Sequence, residues 1–212
     1  MGLIVFDLDG TLIKERTIFA IAKKYGFLEE VVKVIESPIK NYMKSKIIAG
    51  FLKGLTVNEF LDIIKKIPLM DGAEEVSKTL KDKGYKLGII SDGYTLVTEY
   101  FKEKLGFDFS VANRLEVKNG ILTGKIYMPM GWLETRCFCK QSVCKRAHLR
   151  IYAKKYGVSV KDCVAVGDGP ADLCMLDEAG LGIAFNPKTP ELLKYAKMVI
   201  DKEDLREILS YL

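Results

Sequence analysis

The sequence predicts an α/β protein built on a doubly wound parallel sheet, and three observations carry that prediction. Short apolar runs recur along the chain, helix-like segments separate them, and one Asn-Gly pair marks a hairpin. Runs that are apolar at every position suit strands covered on both faces, as in a parallel sheet. With 212 residues, 49% hydrophobic and 29% charged, the chain can bury one sizeable core and carry an inserted subdomain. That composition excludes collagen-like, low-complexity and disordered chains, which cannot bury enough apolar surface to offset chain entropy.

The first strand is Leu3 to Phe6, broken at once by Asp7 and Asp9, so neither a signal-peptide apolar stretch nor a membrane span starts there. No later run approaches the ~20 apolar residues that a spanning helix needs. Residues 14 to 68 show helical spacing throughout, with Ile18, Ile21, Ala22 and Tyr25 on one stripe and Phe60, Leu61, Ile64 and Ile67 on another. This all-helical insertion leaves through Pro68 to Gly72, ahead of a helix beginning Ala73-Glu74-Glu75. The remaining apolar runs are Tyr85 to Ile90, Phe109 to Ala112, Cys163 to Val166, Leu181 to Phe185 and, as a sixth strand, Met198 to Ile200. Between them, Asn119-Gly120 separates Leu115-Glu116-Val117 from Ile121-Leu122-Thr123 in a hairpin expected to project from the sheet. The chain therefore divides into a core of residues 1–13 and 72–212 and an inserted helical unit of residues 14–71.

The formal charge of +5 is unevenly distributed, because residues 13 to 70 hold 11 Lys and Arg against 6 Asp and Glu and the rest balances at 22 against 22. There is no Arg-rich run, aromatic ladder or zinc-finger spacing, so the basic segment points to anionic small molecules or a solvated face and excludes nucleic acid. Five cysteines are too few and odd in number for a disulfide scaffold, which favours a reducing, cytoplasmic setting with no membrane partner.

Chemistry begins where the first strand ends, in Asp7-Leu8-Asp9-Gly10-Thr11. Ligands of open α/β sheets bind beyond the carboxyl ends of strands, so both carboxylates project toward the expected substrate crevice. One can attack while the other manages a proton, although a lone Asp-x-Asp is more often a turn. A second pair answers that doubt: Val164-Ala165-Val166 runs into Gly167-Asp168-Gly169-Pro170-Ala171-Asp172, again between a strand and a helix. Oxygen ligands from Asp168 and Asp172, converging with Asp7, suit a hard cation such as Mg²⁺. Ser91 at the end of another apolar strand and Lys145 ahead of the strand carrying Asp168 complete the order Asp, Ser, Lys, Asp.

These residues match the four motifs of the haloacid dehalogenase superfamily, and within it the chain resembles the phosphoserine phosphatase branch with a helical cap. The resemblance implies a Rossmann-like core, a cap at 14–71, and a Mg²⁺-dependent phosphatase acting on a small phosphomonoester. It implies Asp7 as nucleophile, forming an aspartyl-phosphate, and Asp9 as the acid and base. It further implies a cation held by Asp7, the Asp9 carbonyl and Asp168 with Asp172 in support, a phosphate contact from Ser91 with Asp92 and Gly93 beside it among the substrate-binding positions, and charge compensation by Lys145. A phosphotransferase, in which a second alcohol replaces water, is the enzyme alternative, and a non-catalytic metal-binding or regulatory protein on the same scaffold is the alternative from another class.

Several positions depart from the branch. Its members carry a Glu nine residues after the nucleophile that binds the substrate ammonium, where this chain has Arg16, and their cap arginine for the substrate carboxylate aligns near Lys46. Asp92-Gly93 stands where relatives have two glycines, and Pro170-Ala171 where they have Ala-Asn. These changes predict an anionic phosphorylated metabolite other than L-phosphoserine, handled by a monomer or homodimer. Cys137, Cys139 and Cys144 with the sole histidine, His148, form C-x-C-x₄-C-x₃-H, an uncommon zinc spacing that reads first as buried thiols or a disulfide.

Overall fold

The computed structural model describes residues 2–212. The central strand, β1 (Leu3–Phe6), is buried at every position and lies between two parallel neighbours. After it come helices α1 (Thr17–Tyr25), α2 (Leu28–Glu36), α3 (Asn41–Gly50) and α4 (Val57–Ile64). Next follow α5 (Ala73–Asp82), β2 (Lys86–Tyr94), α6 (Thr95–Leu105), β3 (Phe109–Lys118) and β4 (Ile121–Tyr127). The chain continues with α7 (Trp132–Thr135), α8 (Lys145–Tyr156), β5 (Cys163–Gly167), α9 (Leu173–Glu178), β6 (Leu181–Phe185) and β7 (Met198–Ile200), and 3₁₀ turns span Leu205–Tyr211.

The seven strands form one sheet in the order β4-β3-β2-β1-β5-β6-β7, parallel except for the β3–β4 pair. Alternation along the strands builds two cores. Ile4, Phe6, Leu87 and Ile89 turn to the face covered by α5 and α6, through residues such as Val76, Leu80 and Phe101, whereas Leu3, Val5 and Ile90 turn to the face covered by Leu149 and Ala153 of α8 and Leu176 of α9. Winding proceeds outward from β1 in both directions, so β1 and β5 flank the point where the strand order reverses. The register settles what meets there. Phe6 lies opposite both Ile89 and Val166, so the residues just beyond, Asp7, Ser91 and Asp168, emerge side by side at one edge of the sheet.

Two strands are longer than their apolar runs. The register between β2 and β3 shifts between Ile90 and Tyr94, which lets β2 carry Ser91, Asp92 and Gly93 within the strand. Phe109–Lys118 is one strand, and the hairpin extends it instead of standing off the sheet. Asn119 and Gly120 both have positive φ, 50° and 76°, the geometry of a tight two-residue hairpin turn. The hairpin then docks on the helical segment, as the Leu122 amide donates to Leu55 (2.8 Å) and the Leu122 carbonyl accepts from Gly54 (2.9 Å). At the other end of that segment, the Lys14 amide donates to Pro68 (3.0 Å) and the Met70 amide to Leu12 (2.9 Å), drawing its entry and exit together. Tyr25, placed by periodicity on the apolar stripe of α1, is 38% exposed, because the Gly26 cap ends the helix at the rim.

Candidate active site

Four strand ends and loops converge on a cavity of about 310 Å³ whose wall includes Asp7, Asp9, Asp92, Gly93 and Asp168 from the sheet edge. Facing them are Arg16 and Thr17 at the start of α1, Ile35 of α2, and Asn41, Lys44, Ser45 and Ile48 of α3. The last four recur at i, i+3, i+4 and i+7, which is one face of a helix.

Lys145 is the electrostatic centre. Wholly buried at the first turn of α8, its Nζ lies 2.7 Å from Asp7 Oδ1 and 2.6 Å from Asp172 Oδ1. Burial alone would lower its pKa, but Asp172 and Asp7 outweigh that and hold it above the ordinary value, so the ammonium stays charged. Asp172 offers Oδ1 to Lys145 and Oδ2 to the Gly169 amide (2.9 Å). It therefore fixes Lys145 and the 167–172 loop, with both oxygens already engaged.

Asp7 Oδ1 accepts from the Leu8 amide (2.6 Å) as well as from Lys145. Burial and the nearby Asp172 raise the Asp7 pKa, with Lys145 working against them. Asp9 Oδ1 accepts from both the amide (2.8 Å) and the hydroxyl (2.6 Å) of Thr17, and burial still leaves the Asp9 pKa raised. A carboxyl group that holds its proton more tightly than usual is suited to acid and base work near neutrality. Burial and the Asp172 charge push Asp168 up to about 7. Gly10 lets the loop close over this group: its φ is +83°, and a Cβ there would lie 2.3 Å from Asp168 Oδ2. Ser91 is fully buried, and its Oγ accepts from the Gly93 amide (3.0 Å), leaving its own proton for another acceptor.

Ligand oxygens of Asp7, Asp168 and Asp172 lie within 4.8 Å of one another. Three buried carboxylates against one lysine leave the cluster short of positive charge, which the raised pKa values of Asp7 and Asp168 register. That donor set fits a hard divalent cation.

The structure thus brings together Asp7, Asp9, Ser91, Asp92, Gly93, Lys145, Asp168, Asp172 and Arg16. Lys46 does not join them. It is exposed on α3 away from the cavity, whose wall takes Lys44 instead. A helix turns ~100° per residue, so an offset of two residues swings a side chain to the other side. Periodicity on α3 was the signal that identifies Lys44 and Ser45. Thr17 carried no local signal, because it meets Asp9 only through the turn into α1. Gln141 also reaches the cavity, and its neighbour Ser142 accepts from Asn113 Nδ2 (2.9 Å) and from Ser45 (3.0 Å). His148 is not a member of the group of four thiols, and its Nε2 lies 3.0 Å from the Pro129 carbonyl oxygen.

Residues 4–177 match the family model described as haloacid dehalogenase-like hydrolase. The chain is 40% identical to a phosphoserine phosphatase of Methanocaldococcus jannaschii, over 99% of this chain and 97% of that one. It is 38% identical to a phosphoserine phosphatase of Archaeoglobus fulgidus, over 99% of this chain and 59% of the other. Among solved structures, a phosphoserine phosphatase captured as an analogue of its phospho-aspartyl intermediate superimposes with a TM-score of 0.86 at 38% identity, over 99% of this chain and 98% of that one. No helix among the described residues is long and apolar enough to cross a membrane.

Proposed function

The chain belongs to the haloacid dehalogenase-like hydrolases and is a phosphatase, a phosphoric monoester hydrolase, and from that premise we propose that it hydrolyses O-phospho-L-serine through an aspartyl-phosphate on Asp7. The observation that carries the mechanism is the division of labour on Asp7: Oδ1 is held by Lys145 and the Leu8 amide, and the group lines a cavity shared with Asp9.

In the first half-reaction Asp7 attacks phosphorus and the ester oxygen leaves, taking a proton from the Asp9 carboxyl group. In the second, Asp9 removes a proton from water, whose oxygen displaces Asp7 and releases inorganic phosphate. Thr17 keeps Asp9 oriented throughout, since both its donors fall on one oxygen. Ser91 donates its free proton to a phosphate oxygen, and Lys145 offsets the repulsion between carboxylate and phosphate dianion. Asp7, Asp168 and the Asp9 carbonyl would hold Mg²⁺, which when bound draws charge from the phosphate oxygens. Residues 14–71 serve as a cap over the core of 1–13 and 72–212, excluding water from the cavity.

Excluding L-phosphoserine on sequence rests on the departures at 92–93 and 170–171, on the basic segment and above all on the charge reversal at Arg16. Against that stand the relatives, which are phosphoserine phosphatases at 38–40% identity over 99% of this chain, and the presence of Asp92 on the cavity wall with Arg16 and Lys44. A wall of both signs accommodates an amino acid: Asp92 takes the ammonium, and Arg16 or Lys44 takes the carboxylate. The second reading, a phosphorylated acid without an amino group, is favoured by the two cations at the mouth. The test is kcat/KM for phosphoserine and 3-phosphoglycerate on the wild type and Asp92→Asn. Phosphoserine should be preferred, and the substitution should lower its kcat/KM by about 10- to 100-fold while sparing 3-phosphoglycerate. A wild type that prefers 3-phosphoglycerate replaces the first reading with the second.

A further inference from the structure

Four of the five cysteines come together behind the catalytic lysine. Cys137, Cys139 and Cys144 arrive from the loop between α7 and α8, and Cys174 from the first turn of α9, with exposures of 3%, 7%, 1% and 0%. Their sulfur atoms all lie within 4.8 Å of one another as free thiols. We propose that these four sulfurs hold a structural zinc ion, separate from the carboxylate cluster and with no open coordination position.

The dimensions suit that ion. Zinc–sulfur bonds of ~2.3 Å place tetrahedral thiolates ~3.8 Å apart, inside the spread of the four thiols. The alternative, that the thiols are small apolar side chains filling a core, predicts aliphatic neighbours. Here, among the described residues, Ala147 is the only other hydrophobic side chain packed on the group, and the cluster is separate from both cores of the sheet. The surrounding loop also needs an organiser. Arg136 and Lys140, flanking Cys137-Phe138-Cys139, both hold φ at +52°, a left-handed region that non-glycine residues seldom enter. The sequence spacing pointed to His148 as a fourth ligand, but that ring faces Pro129 and the fourth thiol comes from a distant helix.

Such a site has a definite consequence. Cys144 immediately precedes Lys145, and Cys174 lies two residues beyond Asp172. A metal joining the two cysteines ties together the two segments that supply the 2.6 Å Lys145–Asp172 pair. It also steadies the loop whose Gln141 lines the cavity. Zinc would act there as a positioning device and take no part in phosphoryl chemistry.

The experiment is metal analysis by plasma mass spectrometry of protein purified under reducing, zinc-replete conditions without chelator. The expected content is about one zinc per chain, released by a thiol-blocking mercurial. Cys139→Ser and Cys174→Ser should each bind less than about a tenth of that amount, and Cys163→Ser, whose thiol sits apart on β5 and donates to the Ser159 carbonyl, should retain it. Should the cysteine variants fail to fold, Co²⁺ loading of the wild type decides, through the thiolate charge-transfer and tetrahedral ligand-field bands of an S₄ site. The proposal is overturned by a zinc-free folded chain with its thiols reduced, by two disulfides detected by mass, or by iron in place of zinc. None of these readouts depends on the substrate, so they stand apart from the fate of the phosphoserine reading.

Discussion

Replacing Lys145 by Met removes one positive charge and nearly nothing else, since the two side chains are of similar length and the site is closed to solvent. Two losses follow. The first is in stability, because Asp7 and Asp172, held at 2.7 and 2.6 Å, are left as buried carboxylates without their cation. Breaking a buried pair typically costs about 3–5 kcal/mol, and at about 2–4 °C per kcal/mol for a chain of this size the Tm should drop by about 6–20 °C. The low end is expected, because the carboxylates can take up a shared proton. The second loss is in catalysis. A unit charge about 4 Å from the reacting groups contributes about 4 kcal/mol at the effective dielectric of such sites. At 1.36 kcal/mol per decade, kcat should fall by about 10²- to 10³-fold. Phosphate release under saturating substrate and Mg²⁺ measures the second effect, and calorimetry without substrate measures the first. Without the lysine, Asp7 should also hold its proton more tightly, which moves the acid limb of the rate profile to higher pH. A variant that keeps more than a tenth of wild-type kcat, or whose Tm moves by less than about 2 °C, shows that Lys145 does not compensate these carboxylates.

Asp7→Asn preserves shape and removes the nucleophile, so turnover should fall at least about 10³-fold and acid-quenched protein should carry no phosphate from labelled substrate. Retention of a labelled phosphoenzyme would move the covalent step elsewhere. Gly10→Ala places a Cβ 2.3 Å from Asp168 Oδ2 on a backbone with φ of +83°, and about 1–3 kcal/mol of destabilisation together with weaker Mg²⁺ activation should result. An unchanged Tm and Mg²⁺ dependence contradicts the close approach of that loop to Asp168. Burial holds the His148 pKa below the usual 6.5, so the folded ring binds its proton less tightly than the unfolded one. The stability this provides is complete above about 6.5 and is lost as pH falls through that value toward the lower folded pKa. The Tm gap between wild type and His148→Gln should therefore shrink from about pH 8 to about pH 5, and a gap that is independent of pH refutes the assignment.

What the sequence determined by itself was the skeleton of the chemistry. Apolar runs covered on both faces can only become inner parallel strands, and in a doubly wound sheet the residues after such strands must converge at one edge. Chain order alone thus places Asp7, Ser91 and Asp168, and the family motifs supply Lys145 and Asp172. The tertiary structure decided whatever depends on rotation or on distant partners. Lys44 and not Lys46 faces the cavity, because helix phase turns a two-residue offset into opposite sides. The hairpin is continuous with β3 because the helical segment offers backbone donors and acceptors to its tip, a pairing that no local pattern encodes. Arg16 and the basic excess of the inserted segment suggested a cationic wall, while Asp92, reached through a strand that outruns its apolar run, makes that wall one of both signs. Cys174 meets three thiols about 30 residues away because α8 and α9 share one face of the sheet. Local spacing could offer only the neighbouring histidine, whose ring the fold turns elsewhere.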